Sequence, residues 1–341
     1  MEYKPGKNKE LSALETDSGA IYHAKGSYSI DDKINGKEIV PVNRSYTILD
    51  NGDRVHKETY SKYEKNKLIH EEVKKDTILR DNELLVNVYG KDLLFLDSSN
   101  IKKIISPNPA DNNLISDQAK KIIDFISLDI DKKKLSDKTL IGIFGSHQVG
   151  LQHVKSDVDL IVWTDWKEAD EVKSVIYKNF EEHGYTLVSD TSKMEKYAKR
   201  YSEKFQIPYE AGFYLAQKRN RWINKEGIPV SLQVLNSNYD HTTVANFLSG
   251  INKEFSSEKV HMECRVISAS QSYNFPRLWQ LECDGKIITA VSFSWSHQGM
   301  GDDNNIFGDT YIFNGHLIKN NNGDFLYLKD DNDYLLPKKL V

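Results

Sequence analysis

Residues 140–163 read LIGIFGSHQVGLQHVKSDVDLIVW. An apolar strand, TLIGIF, ends at Gly145-Ser146. After ten intervening residues Asp157-x-Asp159 opens a second apolar strand, VDLIVW. Side chains two apart on a strand project from the same face, so Asp157 and Asp159 present their carboxylates together. Paired carboxylates repel and resist desolvation, and divalent cations with a taste for oxygen ligands relieve both problems. Gly145 permits a backbone approach that a Cβ would block. Ser146 is expected to open a helix whose free N–H groups would receive phosphate, with His147 beside it and Lys155 adding positive potential. A P-loop does not fit. Gly145 and Gly150 have the glycine spacing, but Leu151 and Gln152 stand where that motif needs Lys and Ser or Thr.

Outward from this stretch the pattern is mixed. Leu114, Ala119, Ile122, Ile123 and Ile126 fall on one helical face, with Ser116 or Asp117 as cap. Val172, Val175, Ile176 and Phe180 mark a second helix closed by Gly184. Met194 to Phe205 gives a third, broken by Pro208, and YEAGFYLAQKRNRW (209–222) is expected to begin a fourth. IPVSLQVL (228–235) reads as the closing strand. Upstream, segments such as AIYHAKGSYSI and ELLVNVYGKDLLFL read as strands, with hairpin turns expected at Asn35-Gly36 and Asn51-Gly52. ISPNPADNN (105–113) breaks the chain between the two styles. After Ile251 the pattern returns to short strands, expected to form a small barrel or sandwich. The fold class is α+β: a mixed-sheet core at 111–250, flanked by β-rich regions at 1–110 and 251–341.

The chain has 341 residues, 39% hydrophobic and 28% charged, a composition that supports more than one core. A net charge of -4 argues against a broad nucleic-acid-coating surface. The amino-terminal residues have no apolar signal-peptide core, and no run approaches the roughly 18 apolar residues a membrane helix needs. Only Cys264 and Cys283 occur, far apart and without a neighbouring His pair, so neither a disulfide framework nor a structural zinc site is expected. These features predict a cytoplasmic protein with no membrane partner.

The order strand–GS–ten residues–DxD–strand resembles the signature of minimal nucleotidyltransferases in the DNA polymerase β superfamily. More narrowly, GSHQVGLQHVKSDVDLIVW, AIYHAKGSYSI and KVHMECRVISASQSY look similar to segments of uncharacterised, mainly archaeal nucleotidyltransferase-domain proteins. The resemblance implies a polymerase-β-like core that moves a nucleoside monophosphate from an NTP such as ATP to an acceptor. Mg²⁺ or Mn²⁺ would be held by Asp157 and Asp159. It names no acceptor: an RNA end, a protein hydroxyl and a small molecule all remain open, as does the oligomeric state. The superfamily usually supplies a third carboxylate from a later strand, but IPVSLQVL offers Ser231 and Gln233 there. Glu226 and Glu210 are the nearest acids in sequence. Lys218, Arg219 and Arg221 form the basic cluster expected to meet phosphate, with Trp222 beside them for stacking. Two other readings stay open: a catalytically degenerate nucleotide-binding regulator, and a nucleic-acid-binding protein acting through its β regions. Phe293, Trp295, Tyr311 and Phe313 alternate as core residues do, in preference to a stacking platform.

Overall fold

The computed structural model describes residues 2–5, 11–26, 28–32, 37–48, 54–56, 60–64, 67–71, 83–135, 139–152, 156–187, 191–218, 221–251, 255–302, 310–330 and 332–341. The first strands in the chain are β1 (Glu2–Pro5), β2 (Ala13–Thr16), β3 (Ile21–Ala24), β4 (Tyr28–Asp32), β5 (Lys37–Ile48) and β6 (Arg54–His56). A separate hairpin, β7 (Tyr60–Glu64) and β8 (Lys67–Glu71), follows. Then come β9 (Glu83–Val88), β10 (Lys91–Asp97) and β11 (Ile101–Ile105). Apart from the hairpin, these strands make one sheet in which β5 pairs with β3, β4, β6 and β10. The expected Asn35-Gly36 and Asn51-Gly52 turns lie outside the described residues. Their flanking strands do pair antiparallel, with Asp32 opposite Lys37 and Ile48 opposite Arg54.

The middle of the chain folds into α1 (Asp117–Lys132), β12 (Leu140–Phe144), β13 (Val158–Thr164), α2 (Ala169–Glu182), β14 (Thr186–Leu187), α3 (Thr191–Phe205), α4 (Tyr209–Gln217), β15 (Arg221–Ile223) and β16 (Pro229–Asn236). The sheet order is β12-β13-β16-β15-β14. It is mixed, because β13 and β16 run parallel while the other neighbours are antiparallel. Alternation decides its two faces. Val158, Leu160 and Val162, with Ile141, Ile143, Val230, Leu232 and Val234, pack against the apolar faces of α1 and α2. Asp159, Ile161 and Trp163 therefore project from the opposite face. On that face Ile161 and Leu235 meet Leu11, with Phe144, Trp163, Tyr273 and Trp295 packed around them.

Two helical expectations fail here. Between Phe144 and Gln148 there is only a 3-10 turn, Gly145–His147, and no α-helix. So short a segment cannot offset helix nucleation, and its polar groups are held by tertiary partners. The helix expected from Tyr209 stops at Gln217, and Arg221–Ile223 is a strand. Trp222 is 3% exposed and packs against Tyr177 and Phe180, so burial overrides the helical pattern.

Next come α5 (His241–Ser249), β17 (Ser256–Gln271), β18 (Arg277–Cys283), β19 (Lys286–Ser292), β20 (Thr310–Asn320), β21 (Gly323–Tyr327) and β22 (Tyr334–Pro337). The pairings β17-β18-β19-β21-β20 close on themselves through β17 and β20, with β19 and β21 parallel. This is a five-stranded Greek-key barrel of the OB type, with β22 added beside β20. Trp279, Leu281, Tyr311 and Phe313 belong to its buried core. The outer surface of the barrel is not free at this end. Leu278, Val291, Phe325 and Tyr327 share a core with Val244, Phe247 and Leu248 of α5 and with Tyr28, Val88 and Phe95 of the first sheet.

The barrel also corrects the cysteine expectation. Cys264 on β17 stands directly opposite Cys283 on β18, and the two are joined in a disulfide. Their 19-residue separation hides a direct cross-strand pairing that only the register reveals. Such a bond is at odds with the reducing compartment expected from composition.

Candidate active site

The site is assembled at the ends of three neighbouring strands. Phe144, the last residue of β12, pairs with Asp159. The chain then turns at Gly145 with φ +79°, and a Cβ at that position would stand 3.0 Å from Asp159 Oδ2. Gly145 is thus where a backbone meets a carboxylate with nothing between them. From the other side, β16 places Ser231 in register with Asp159, and Ser231 Oγ donates to Asp159 Oδ1 at 2.5 Å. Asp157 lies one residue before β13 and, like Asp159 and Ser146, is partly exposed. Gln233, two residues beyond Ser231 on the same side of β16, pairs in register with Ile161. The later strand therefore brings a hydroxyl to Asp159 where the resemblance implies a third acid.

Other sequence-predicted residues lie elsewhere or face elsewhere. His147 is 0% exposed and its Nδ1 is 2.6 Å from Ser116 Oγ, the cap of α1, so it ties the turn to the helix. Ser146 sits in a three-residue turn, which supplies no α-helix N-terminus. Lys218 Nζ donates to the Asp302 carbonyl and lies 5.0 Å from the Tyr214 ring. Arg219 and Lys155 lie outside the described residues. Arg221 is in β15, where its backbone is opposite Ser231. Glu210 is exposed on α4. Glu226 is exposed in the β15–β16 turn and borders a cleft of about 830 Å³ between α1, the end of α2 and that turn. Neither Gly145, Ser146, Asp157 nor Asp159 lines that cleft.

The roof over the acid-bearing face comes from parts of the chain that the motif does not announce. Trp295 stacks on Phe144 with ring centroids 6.1 Å apart and planes at 12°, next to the Phe144–Asp159 pair. Lys204 of α3 reaches Ser296 Oγ at 2.6 Å, joining the core to the barrel. Beside the α1–α2 core, away from this roof, Lys173 of α2 lies 5.2 Å from the Trp166 ring and 5.9 Å from the Tyr273 ring. Burial, with Asp170 and Asp302 nearby, pushes the Tyr177 hydroxyl up to about 12, and burial raises Tyr273 well above its ordinary value. Both phenols stay neutral there at ordinary pH. No periodicity or motif marks these residues, because their neighbours come from distant segments.

The donor chemistry at the acid pair fits a divalent cation. Two carboxylates at one strand end offer hard oxygen ligands, and the bare Gly145 backbone leaves space against Asp159 Oδ2 that a Cβ would fill. His316, Asp330 and Asp333 also cluster, on the barrel. Asp333 there already meets Lys259 and accepts from the Lys329 and Asp330 N–H groups at 2.7 Å, an arrangement that shapes the turn.

Residues 126–220 match the family model described as a nucleotidyltransferase domain. A comparison with curated proteins gave no match. Among solved structures, similarity is found to two of the Cid1 poly(U) polymerase, one with MgGTP bound and one in complex with the UTP analogue UMPNPP. Each is 17% identical, at TM-scores of 0.20 and 0.19. The overlap covers 40% of this chain and 39% and 37% of those chains, well under half of their length. A likeness that loose carries no argument about function.

Proposed function

We propose that the chain moves a nucleoside monophosphate from an NTP to an acceptor, a reading supported by the match of residues 126–220 to the family model of a nucleotidyltransferase domain. The observation that carries the reading is the seating of the Gly145 turn on the Asp159 carboxylate. Asp157 and Asp159 would hold Mg²⁺ or Mn²⁺, which when bound neutralises the triphosphate and activates the attacking oxygen. Gly145 and Ser146 would take phosphate through the backbone of the turn and the serine hydroxyl. Ser231 keeps Asp159 in one orientation by donating to Oδ1. The Trp295–Phe144 stack, next to the Asp159 strand position, would shield one side of the acids. The acceptor would attack the α-phosphorus and pyrophosphate would leave. An RNA end, a protein hydroxyl and a small molecule are the acceptor classes to be tested.

Action as a nucleic-acid binder through the β regions is disfavoured by the barrel itself. Its surface at Leu278, Val291, Phe325 and Tyr327 is buried against α5 and the first sheet. Phe293, Tyr311 and Phe313 are core residues, 5%, 0% and 0% exposed.

The test is to incubate the pure chain with each α-labelled NTP, Mg²⁺ or Mn²⁺, and cellular RNA, protein or metabolites in turn. Label should move to one acceptor class with pyrophosphate release. Asp157→Asn or Asp159→Asn should cut the rate several-hundred-fold or more, as expected for loss of about 4 kcal/mol of transition-state stabilisation. Full activity in the doubly substituted protein would overturn the reading. Magnesium-dependent NTP binding without pyrophosphate release would favour the degenerate regulator.

A further inference from the structure

The Gly145–His147 turn runs directly into Gln148, whose side chain is 0% exposed. Its Nε2 donates to the carbonyls of Leu11, at 3.2 Å, and Ile105, at 3.0 Å. Its Oε1 lies 3.1 Å from His23 Nε2, and His23 Nδ1 pairs in turn with Ser45 Oγ. The Gln148 carbonyl accepts from Asn112 Nδ2 at 2.8 Å, and its N–H donates to the Gly145 carbonyl at 3.2 Å. Both amide N–H bonds and the amide oxygen are therefore engaged with three separate segments of the first sheet: the Leu11 turn, the end of β11 and β3.

Space-filling does not explain this arrangement. A buried amide costs free energy unless every polar atom finds a partner, and an apolar side chain would fill the same volume without that condition. Three hydrogen bonds of fixed direction do something an apolar contact does not, which is to set one position for the backbone that carries them. The Gly145 carbonyl is bonded to the same residue, so a shift of Gln148 is passed to the glycine that stands against Asp159.

We propose that Gln148 is a positioning residue for the phosphate-binding turn, and that the first sheet, through His23, Leu11 and Ile105, holds that turn at its distance from Asp159. The inference rests on the reading of Gly145 and Ser146 as phosphate contacts. It gives the amino-terminal sheet a task in nucleotide binding that is exerted through the turn. Because the turn acts on the phosphates and the acids act on the chemistry, loosening the turn weakens NTP binding more than it slows the bound complex.

The experiment uses the full chain with Mg²⁺ and the NTP preferred in the labelling assay. Gln148→Met keeps the length of the side chain and removes its hydrogen bonds. It should raise KM for the NTP about tenfold or more while kcat stays within about threefold, the pattern of lost uniform binding. His23→Asn removes one anchor of three and should shift KM in the same direction by a smaller factor. It carries the test if Gln148→Met fails to fold. Leu281→Ala, in the buried core of the barrel, should lower Tm and leave KM unchanged, which separates positioning from general stability. If wild type binds the NTP without turnover, Kd by calorimetry replaces KM. An unchanged KM or Kd in the folded His23 and Gln148 variants overturns the inference alone. Absence of NTP binding and of pyrophosphate release in the wild-type chain overturns the proposed function instead.

Discussion

Gly145 and Gly227 share a left-handed backbone, φ +79° in each, and differ in what a side chain would meet. At Gly227 no atom lies within 4 Å of an added Cβ, whereas at Gly145 the Asp159 carboxylate is 3.0 Å away. Alanine at either place bears the left-handed penalty of about 1–2 kcal/mol. Gly227→Ala should therefore cost about that much in a urea titration and leave NTP use intact. Gly145→Ala should cost at least as much and lower pyrophosphate release about tenfold or more, since it crowds a proposed metal ligand. Equal behaviour of the two variants in both assays would separate the Gly145–Asp159 contact from function. At this scale the sequence was informative where chemistry depends on neighbours in the chain. Strand period and spacing single out Gly145, Asp157 and Asp159 as candidates, and the register of β12 with β13 brings Gly145 against Asp159. The Ser231–Asp159 bond was not legible, because it spans 72 residues and depends on the register of β13 against β16.

Elements were legible where a local pattern and a local cap agree. The apolar face of α1 and its cap at Ser116 follow from the sequence, and Ala119, Ile122, Ile123 and Ile126 are buried as that pattern requires. The segment after Ser146 and the strand at Arg221–Ile223 defeat the same reasoning, because tertiary partners decide them. The Gln148 side chain is bonded to the first sheet, and Trp222 belongs to the core beneath α2. Ser116 is where the two kinds of information meet. Its Oγ accepts from the Ala119 N–H at 3.2 Å and also pairs with His147 Nδ1. Ser116→Ala should cost about 1 kcal/mol for the cap and about 1 more for the histidine bond. Ser116→Thr should recover most of that loss in the same denaturant titration. A loss confined to the cap value would mean that His147 does not depend on Ser116.

Across the whole molecule, the order of regions in the chain differs from the order of packing in space. The β-rich stretches at either end of the core flank it in sequence, yet the first sheet and the barrel touch each other through α5. The sequence gives no local sign of this, since α5 is a short helix with an ordinary apolar face, its first-sheet partners lie more than a hundred residues upstream and its barrel partners lie downstream. Phe247 is the centre of the contact: it is 0% exposed, with the Tyr89 ring 4.9 Å away and the Phe325 and Tyr327 rings both 5.3 Å away. Tyr89 Oη also donates to the Phe247 carbonyl at 2.6 Å. Truncating a buried phenylalanine costs about 3–5 kcal/mol, part of it from the cavity left behind. If the first sheet and the barrel share one core, Phe247→Ala should raise amide hydrogen exchange in β9–β10 and in β18–β19 together, although the two pairs are separated by nearly two hundred residues. Exchange in β12–β13 should change less, because the Asp159-bearing sheet has its own core under α1 and α2. Loosening of the barrel strands alone, with β9–β10 as protected as in the parent, would show that the first sheet stands without α5.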